Sequence, residues 1–203
     1  MKDRSVSEHQ QRDPNDAAQA NEPRIGVEAL FRAHAAFVAG FLHRLGAPKA
    51  DVDDLVQEVF LIAHRKGGYV PGAGQPRIWL GAIALRVALA GRRTRARRRE
   101  DNDELGMHAA VSQSKDPAQS FELRASLERV QRALDTLDLD HRAAFVLYEI
   151  EGESCDNIAA AFDLPVGTVY SRLHHARKRF LAAHAALDPA SEPLPRPRLV
   201  GGT

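Results

Sequence analysis

The chain has 203 residues, a formal net charge of +1 and a 44% share of hydrophobic residues, enough for one domain or two small ones to close over a core. Its single cysteine, Cys155, excludes an internal disulfide and a cysteine-rich metal site. No apolar run approaches the ~20 residues needed to span a bilayer, and the polar opening stretch MKDRSVSEHQQRDPNDAAQANEP holds no signal-peptide core; a soluble, cytoplasmic protein is expected.

Residues 1–24 lack periodicity and are expected to be a disordered extension. Helical patterning then begins. Val27, Leu30, Phe31, His34, Phe37, Val38, Phe41, Leu42 and Leu45 recur at three- and four-residue spacing and predict one face of a long helix. GAPKADV breaks it. A second helix follows with Val52, Leu55, Val56, Val59, Phe60 and Ile62 inward, and then a loop, GGYVPGAGQP, marked by its Gly and Pro content. The third helix runs from about Arg77 into an arginine run. Its first part is apolar nearly all round, which predicts a central place in a bundle. These elements make a first domain over 25–100. The pattern fails over 101–122, a linker.

A second helical domain is expected over 123–187. Leu127, Val130, Leu134 and Leu137 form one stripe, HRAAFVLYEI a second helix, and SCDNIAAAF a short third with Ile158, Ala159 and Phe162 inward. The fourth is LPVGTVYSRLHHARKRF. A Pro-rich tail occupies 188–203. No β alternation or internal repeat appears, so the fold class is all-α: two small helical domains joined by a linker, the second a four-helix domain.

The near-neutral total hides separated charge. Asp51, Asp53, Asp54 and Glu58 cluster on the second helix. Arg86, Arg92, Arg93, Arg95, Arg97, Arg98 and Arg99 form a basic run. Leu164–Phe180 is basic again, with no acid. Opposite charges on separate surfaces imply separate partners.

Ser154 is placed to cap the short helix, with Asn157 at the third position. Pro165 cannot extend that helix but can start the next. Two helices joined by the tight turn DLPV form a helix-turn-helix, whose second helix enters the DNA major groove. Val166, Val169, Leu173, Ala176 and Phe180 fall on one face of that helix. Gly167, Thr168, Ser171, His174, His175 and Lys178 fall on the other, with Arg172 at its flank. Among these, Thr168, Ser171, Arg172 and His175 suit base edges or phosphates. A merely solvated helix would mix signs to gain i,i+4 pairs; this one does not.

EGESCDNIAAAFDLPVGTVYSRLHHARKRF resembles the promoter-recognising C-terminal domain of bacterial sigma factors, and is most similar to the extracytoplasmic-function (ECF) group. Gly167, Thr168, Val169, Ser171, Arg172, Leu173, Ala176 and Arg177 carry the likeness. It implies that this helix reads the −35 promoter element, through Gly167, Thr168, Ser171, Arg172, His175 and Lys178. Asp163 departs from the family, which usually has Gly at the turn; the position needs a left-handed backbone, which Asp tolerates better than most residues. Glu153 and Cys155 stand where apolar or aromatic residues are usual, and Tyr170 where Lys is common.

The first half resembles the same family. DVDDLVQEVFLIAHR is similar to its polymerase-binding segment, which implies core RNA polymerase as a partner and Asp54, Gln57 and Glu58 as contacts. An acidic helix face suits a basic partner surface. PRIWLGAIALRVALAGRRTRARRR resembles the segment that engages and melts the −10 element, implying Arg86, Arg92, Arg93 and Arg95 as DNA contacts, with a pocket for opened bases near Gly67–Gln75. Trp79 sits within an apolar run and reads as core. Arg86, Ala90 and Gly91 depart from the family here. The resemblance also implies an anti-sigma factor as partner.

Clustered carboxylates can ligate Mg²⁺, but that needs converging oxygens, often from two helices, and no second cluster is present. With no nucleophile–base pair, phosphate loop or metal-ligand spacing, no cofactor, metal or enzymatic activity is expected. The alternative is a helix-turn-helix regulator that is not an initiation subunit. Such a regulator predicts an α/β receiver domain in the first half, where this chain has helices.

Overall fold

The computed structural model describes residues 24–72, 74–101 and 117–187. The expected tail, all but the last residue of the expected extension, and residues 102–116 of the expected linker lie outside the described residues. Seven α-helices are described: α1 (Val27–Arg44), α2 (Val52–Arg65, entered through a 3₁₀ turn Lys49–Asp51), α3 (Pro76–Asp101), α4 (Pro117–Asp135), α5 (Leu139–Phe145, continuing as a π turn Val146–Ile150), α6 (Cys155–Phe162) and α7 (Val166–Ala186). The all-α expectation holds among the described residues, where the β geometry is one isolated bridge, Ile25 to Tyr69.

Helices α1, α2 and α3 pack on one another, and α3 is the middle element. Ile78, Leu80, Ile83, Ala84, Leu85, Val87 and Ala88 are all buried, so its first half is enclosed on several sides, as its all-round apolarity requires. Pro76 opens α3 where a missing N–H is harmless. Helix α1 ends by a left-handed turn: Gly46 has φ of 86°, and Ala47 N–H donates to Leu42 O at 3.0 Å and Gly46 N–H to His43 O at 2.9 Å. That pair of bonds satisfies carbonyls the helix would orphan.

In the second unit α7 packs against α4, α5 and α6. Leu134, Leu137, Leu139, Ala143, Leu147, Ile158, Val169, Leu173 and Ala176 form its core. Asp138 caps α5 by accepting the His141 N–H at 3.1 Å. The two units share one continuous apolar cluster, because α3 packs against α6 and α5.

Four expectations are corrected. Helix α4 begins at Pro117, inside the stretch expected to be linker. Pro117 starts a helix as Pro76 does, and no apolar face announces it. Phe31 and Leu127, expected inward, are exposed: Phe31 meets Phe60 of α2 edge-on at 4.9 Å but keeps an open side on the surface, and Leu127 sits near the start of its stripe, where no neighbouring helix covers it. Val166, placed on the apolar face of α7, is exposed for the same reason.

Candidate nucleic-acid interface

The turn before α7 sets its direction. Ser154 accepts the Asn157 N–H at 3.1 Å and starts α6. Asp163 ends it with φ 54° and ψ 52°, the only described non-glycine residue at positive φ. Leu164 N–H then donates to Ala159 O at 2.9 Å, and Thr168 N–H to Pro165 O at 2.9 Å. Asp bears the left-handed strain expected from the sequence at the place where the helices must change direction.

Val169, Leu173 and Ala176 hold α7 to the core. Gly167, Ser171, His175 and Lys178 are exposed on the opposite side, with Thr168 half-buried. A Cβ at Gly167 would meet nothing within 4 Å, so its surroundings are open to a close approach. Lys178 has no charged partner among the described residues. Arg172 is different: its side chain is 23% exposed and lies 3.6 Å from Asp140 on α5. The other arginines of α7 are also held. Arg177 pairs with Glu149 and stands over the Tyr148 ring, which raises its pKa, and Arg179 donates to Thr136 O at 2.8 Å. The acid-free helix thus receives its acids from α5, a pairing no reading of α7 alone reveals.

Two exposed groups were not among the assigned contacts. Tyr170 is 58% exposed, and His174 lies beside it on the helix. The His175 ring stands 5.7 Å from His174 and 6.1 Å from His141, so the first turn of α5 borders the exposed face. There Asp138 accepts from His141 Nδ1 at 2.7 Å. Burial opposes ionisation of Asp138, but the hydrogen bonds from His141 outweigh it and leave the carboxyl below its usual range.

The other basic surface lies on α3. Arg86, Arg92 and Arg93 are exposed. Arg95 is half-buried and donates to Asp51 Oδ2 at 2.8 Å, which removes one member of the acidic cluster as well. At the loop before α3, Tyr69 is buried, donates its hydroxyl to Gly74 O at 2.6 Å and meets Trp79 edge-on at 5.6 Å. Burial pushes the Tyr69 phenol up. Trp79 is half-buried against the core, in line with its reading as core.

Asp54, Gln57 and Glu58 share the exposed side of α2. Beside them is an open groove of about 300 Å³ lined by Val27, Phe31, Gln57, Phe60, Leu61 and His64. Exposed Phe31 and Leu61 form its apolar walls. The sequence signal was Leu61, an apolar residue on the polar side of α2. Among the described residues no group of three or more His, Cys, Asp or Glu side chains could hold a metal, and no helix is long and apolar enough to cross a membrane.

A helix-turn-helix with an open polar face, beside a first helical unit that pairs a basic helix with an acidic one, defines a DNA-binding protein. Comparison with known proteins specifies the class. Residues 30–98 match the family model of Sigma-70 region 2, and residues 127–180 that of Sigma-70, region 4. The RNA polymerase sigma-H factor of Pseudomonas aeruginosa is 32% identical over 167 residues, covering 78% of this chain and 82% of its own length. The ECF RNA polymerase sigma-E factor of Escherichia coli is 35% identical over 159 residues, covering 73% and 78%. The ECF sigma factor SigE of Mycolicibacterium smegmatis is 32% identical over 163 residues, and the match spans 78% of this chain but 63% of that protein. Among solved structures, CnrH in complex with the cytosolic domain of CnrY matches with a TM-score of 0.54 at 27% identity, covering 79% of this chain and 88% of that one. RpoE of Bartonella quintana, in complex with the anti-sigma factor NepR, shares the fold with a TM-score of 0.57 at 23% identity, covering 83% and 96%. The chain belongs to the extracytoplasmic-function group of the sigma-70 family.

Proposed function

We propose that this protein is a dissociable initiation subunit that binds core RNA polymerase and directs it to promoters. The observation that carries the reading is the open face of α7, with Gly167, Ser171, His175 and Lys178 presented opposite the buried stripe. That face fits a major groove, and we assign it the −35 element. Thr168 and Arg172 complete the set, Arg172 by turning away from Asp140. Arg86, Arg92, Arg93 and Arg95 on α3 contact the −10 region, where phosphate neutralisation supplies affinity. Asp54, Gln57 and Glu58 dock on polymerase, with the Phe31–Leu61 groove supplying the desolvated centre that such acidic rims surround.

The two domains correspond to 25–100 and 123–187, the second extended by the earlier start of α4. Neither basic surface needs tight binding alone, because each raises the effective concentration of the other on one duplex. The polymerase performs the chemistry, and this chain is not an enzyme. It acts in the cytoplasm. An anti-sigma factor is a further partner, in keeping with RpoE of Bartonella quintana, which shares the fold and is in complex with the anti-sigma factor NepR.

Run-off transcription with core polymerase and a genomic promoter library tests the whole reading. Initiation from a promoter set sharing two spaced elements is expected; no initiation above core polymerase alone would refute it. Replacing Asp54 and Glu58 together with Ala should reduce recovery of core polymerase in a pull-down. Undiminished recovery would remove these residues from the docking surface.

A further inference from the structure

Tyr170 stands outside the assigned −35 contacts. It is 58% exposed, and Val166, one turn before it on the same side of α7, is 38% exposed. Single exposed apolar groups are ordinary on a protein surface. These two stand together in the first two turns of the helix, where a recognition helix meets base edges. Gly167 lies beside them, and a Cβ there would meet nothing within 4 Å, so the approach to the ring is open. The hydroxyl is turned elsewhere. It lies by the start of α6, near Cys155 and Asp156, and by Tyr148 of α5. The nearness of Cys155 above all, with desolvation, Asp156 and Tyr148 adding to it, raises the phenol pKa. The hydroxyl therefore stays protonated. Cys155 is a free thiol and is buried, so it backs the hydroxyl from the protein side.

A duplex can meet this ring with a phosphate or with a base edge. A neutral ring has no charge to offer a phosphate, and the exposed Asp156 beside it repels one. Lysine, common at this place in the family, would offer that charge; this chain does not. Among base edges in the major groove, adenine, guanine and cytosine show polar atoms, and thymine adds an apolar group, its C5 methyl. With its hydroxyl against α6, Tyr170 presents apolar surface to the groove and not a donor to N7 or O6. A thymine methyl is the group such a surface recognises. Its burial against the ring, with Val166 behind, removes apolar area of both partners from water.

We propose that Tyr170 is a specificity-determining residue that selects thymine at one position of the −35 element through contact with the C5 methyl, supported by Val166. The inference rests on the −35 reading of α7 and goes beyond it, because it fixes the identity of a base. It also predicts a switch. Tyr170→Lys places an ammonium at the same point, which suits the O6 and N7 acceptors of guanine.

The test begins with the full chain and a random duplex library. Wild type and Tyr170→Lys are each used to enrich bound duplexes, which are then sequenced. Both should enrich one motif that differs at a single position, thymine for the wild type and guanine for the variant. In the duplex the wild type prefers, that thymine is next replaced by uracil, which lacks only the methyl. Cytosine and 5-methylcytosine are compared at the same position. Fluorescence anisotropy should show the wild type binding the uracil duplex about three- to fivefold more weakly than the thymine duplex, and the 5-methylcytosine duplex more tightly than the cytosine duplex by a similar factor. Tyr170→Lys should ignore the methyl in both pairs. A variant that enriches the wild-type motif unaltered, or a wild type indifferent to the methyl, would overturn the inference. If Tyr170→Lys fails to fold, the two methyl comparisons on the wild type alone decide it. A wild type that enriches a motif yet ignores the methyl overturns this inference and leaves the promoter reading standing. A wild type that enriches no motif overturns both.

Discussion

Arg172 is the residue whose role the structure makes most open to measurement. It is one of the assigned −35 contacts, yet it rests 3.6 Å from Asp140 with its side chain 23% exposed. Two charges at that distance attract by about 1 kcal/mol in bulk water, and more where solvent is partly excluded. Measured values for such half-exposed pairs fall at about 0.2–1 kcal/mol after side-chain ordering and screening. An arginine contact to a guanine edge contributes about 1–3 kcal/mol. DNA therefore wins the competition, but with a penalty of up to about 1 kcal/mol. Arg172→Ala should weaken binding to a −35 duplex by about five- to thirtyfold. Asp140→Asn should strengthen it by up to about fivefold, since it frees Arg172 and removes a negative charge beside the phosphates. In the double variant the loss on removing Arg172 should exceed its loss in the wild type by that same factor. The assay is fluorescence anisotropy on a −35 duplex at fixed salt, beside urea unfolding of each variant. If Arg172→Ala lowers the unfolding midpoint and leaves DNA affinity intact, Arg172 is a brace between α5 and α7, and its assignment as a reader fails.

Asp163→Gly should stabilise the protein by up to about 1 kcal/mol, because glycine adopts φ 54° without a Cβ penalty, whereas Asp163→Val should destabilise it; equal midpoints would mean the turn does not hold that conformation in solution. Asp135→Ala should cost about 2–3 kcal/mol, since it leaves fully buried Arg142 without the carboxylate 2.8 Å away. Arg142→Met should cost less, because exposed Asp135 returns to water; the reverse order in urea melts would refute this account. Replacing Asp138, the α5 cap, with Ala should cost about 1 kcal/mol at neutral pH. Its carboxyl is held below the usual 3.8, so its contribution is complete above about pH 4 and is lost as pH falls through the folded-state value. The variant's acid limb should be flatter, and an unchanged limb would exclude the His141 pairing in solution. Replacing Arg92, Arg93 and Arg95 with Gln should lower the salt slope of duplex binding by about 3, one for each phosphate neutralised once Arg95 exchanges Asp51 for DNA; an unchanged slope would leave these arginines facing solvent.

The helices and their order were legible because each has an apolar stripe and a stop. Asp163 was legible through the resemblance: it stands at the turn where the family usually has Gly, a position that needs a left-handed backbone. What the stripe does not encode is where it runs off the core. Leu127 continues its periodicity past its covering helix, and Phe31 meets Phe60 yet keeps one side open on the surface groove; periodicity shows neither. The assigned contacts were chosen by helix wheel, and the wheel presents Gly167, Ser171, His175 and Lys178 as expected. It could not show Arg172 leaning on Asp140 or Arg95 on Asp51, because those partners lie 32 and 44 residues away in sequence. Tyr170 entered only as a departure from the family, although an exposed aromatic at the start of this helix offers apolar contact to a thymine methyl.

These pairings give the near-zero net charge a physical sense. A chain of this composition could stay neutral with free basic and acidic surfaces, but such surfaces would bind any duplex and any basic protein. Here several arginines of α7, α3 and the junction of the two units begin with an intramolecular partner: Arg172 with Asp140, Arg177 with Glu149, Arg95 with Asp51, Arg77 with Glu151. Each pair is weak enough to exchange for a phosphate or a base edge, and each subtracts the same amount from binding to every sequence. A uniform subtraction lowers non-specific affinity without lowering the ratio between a matched and a mismatched site. The tied arginines therefore weaken the competition from bulk DNA, and the untied groups, Ser171, His175 and Lys178, are left to make the first contact with the groove.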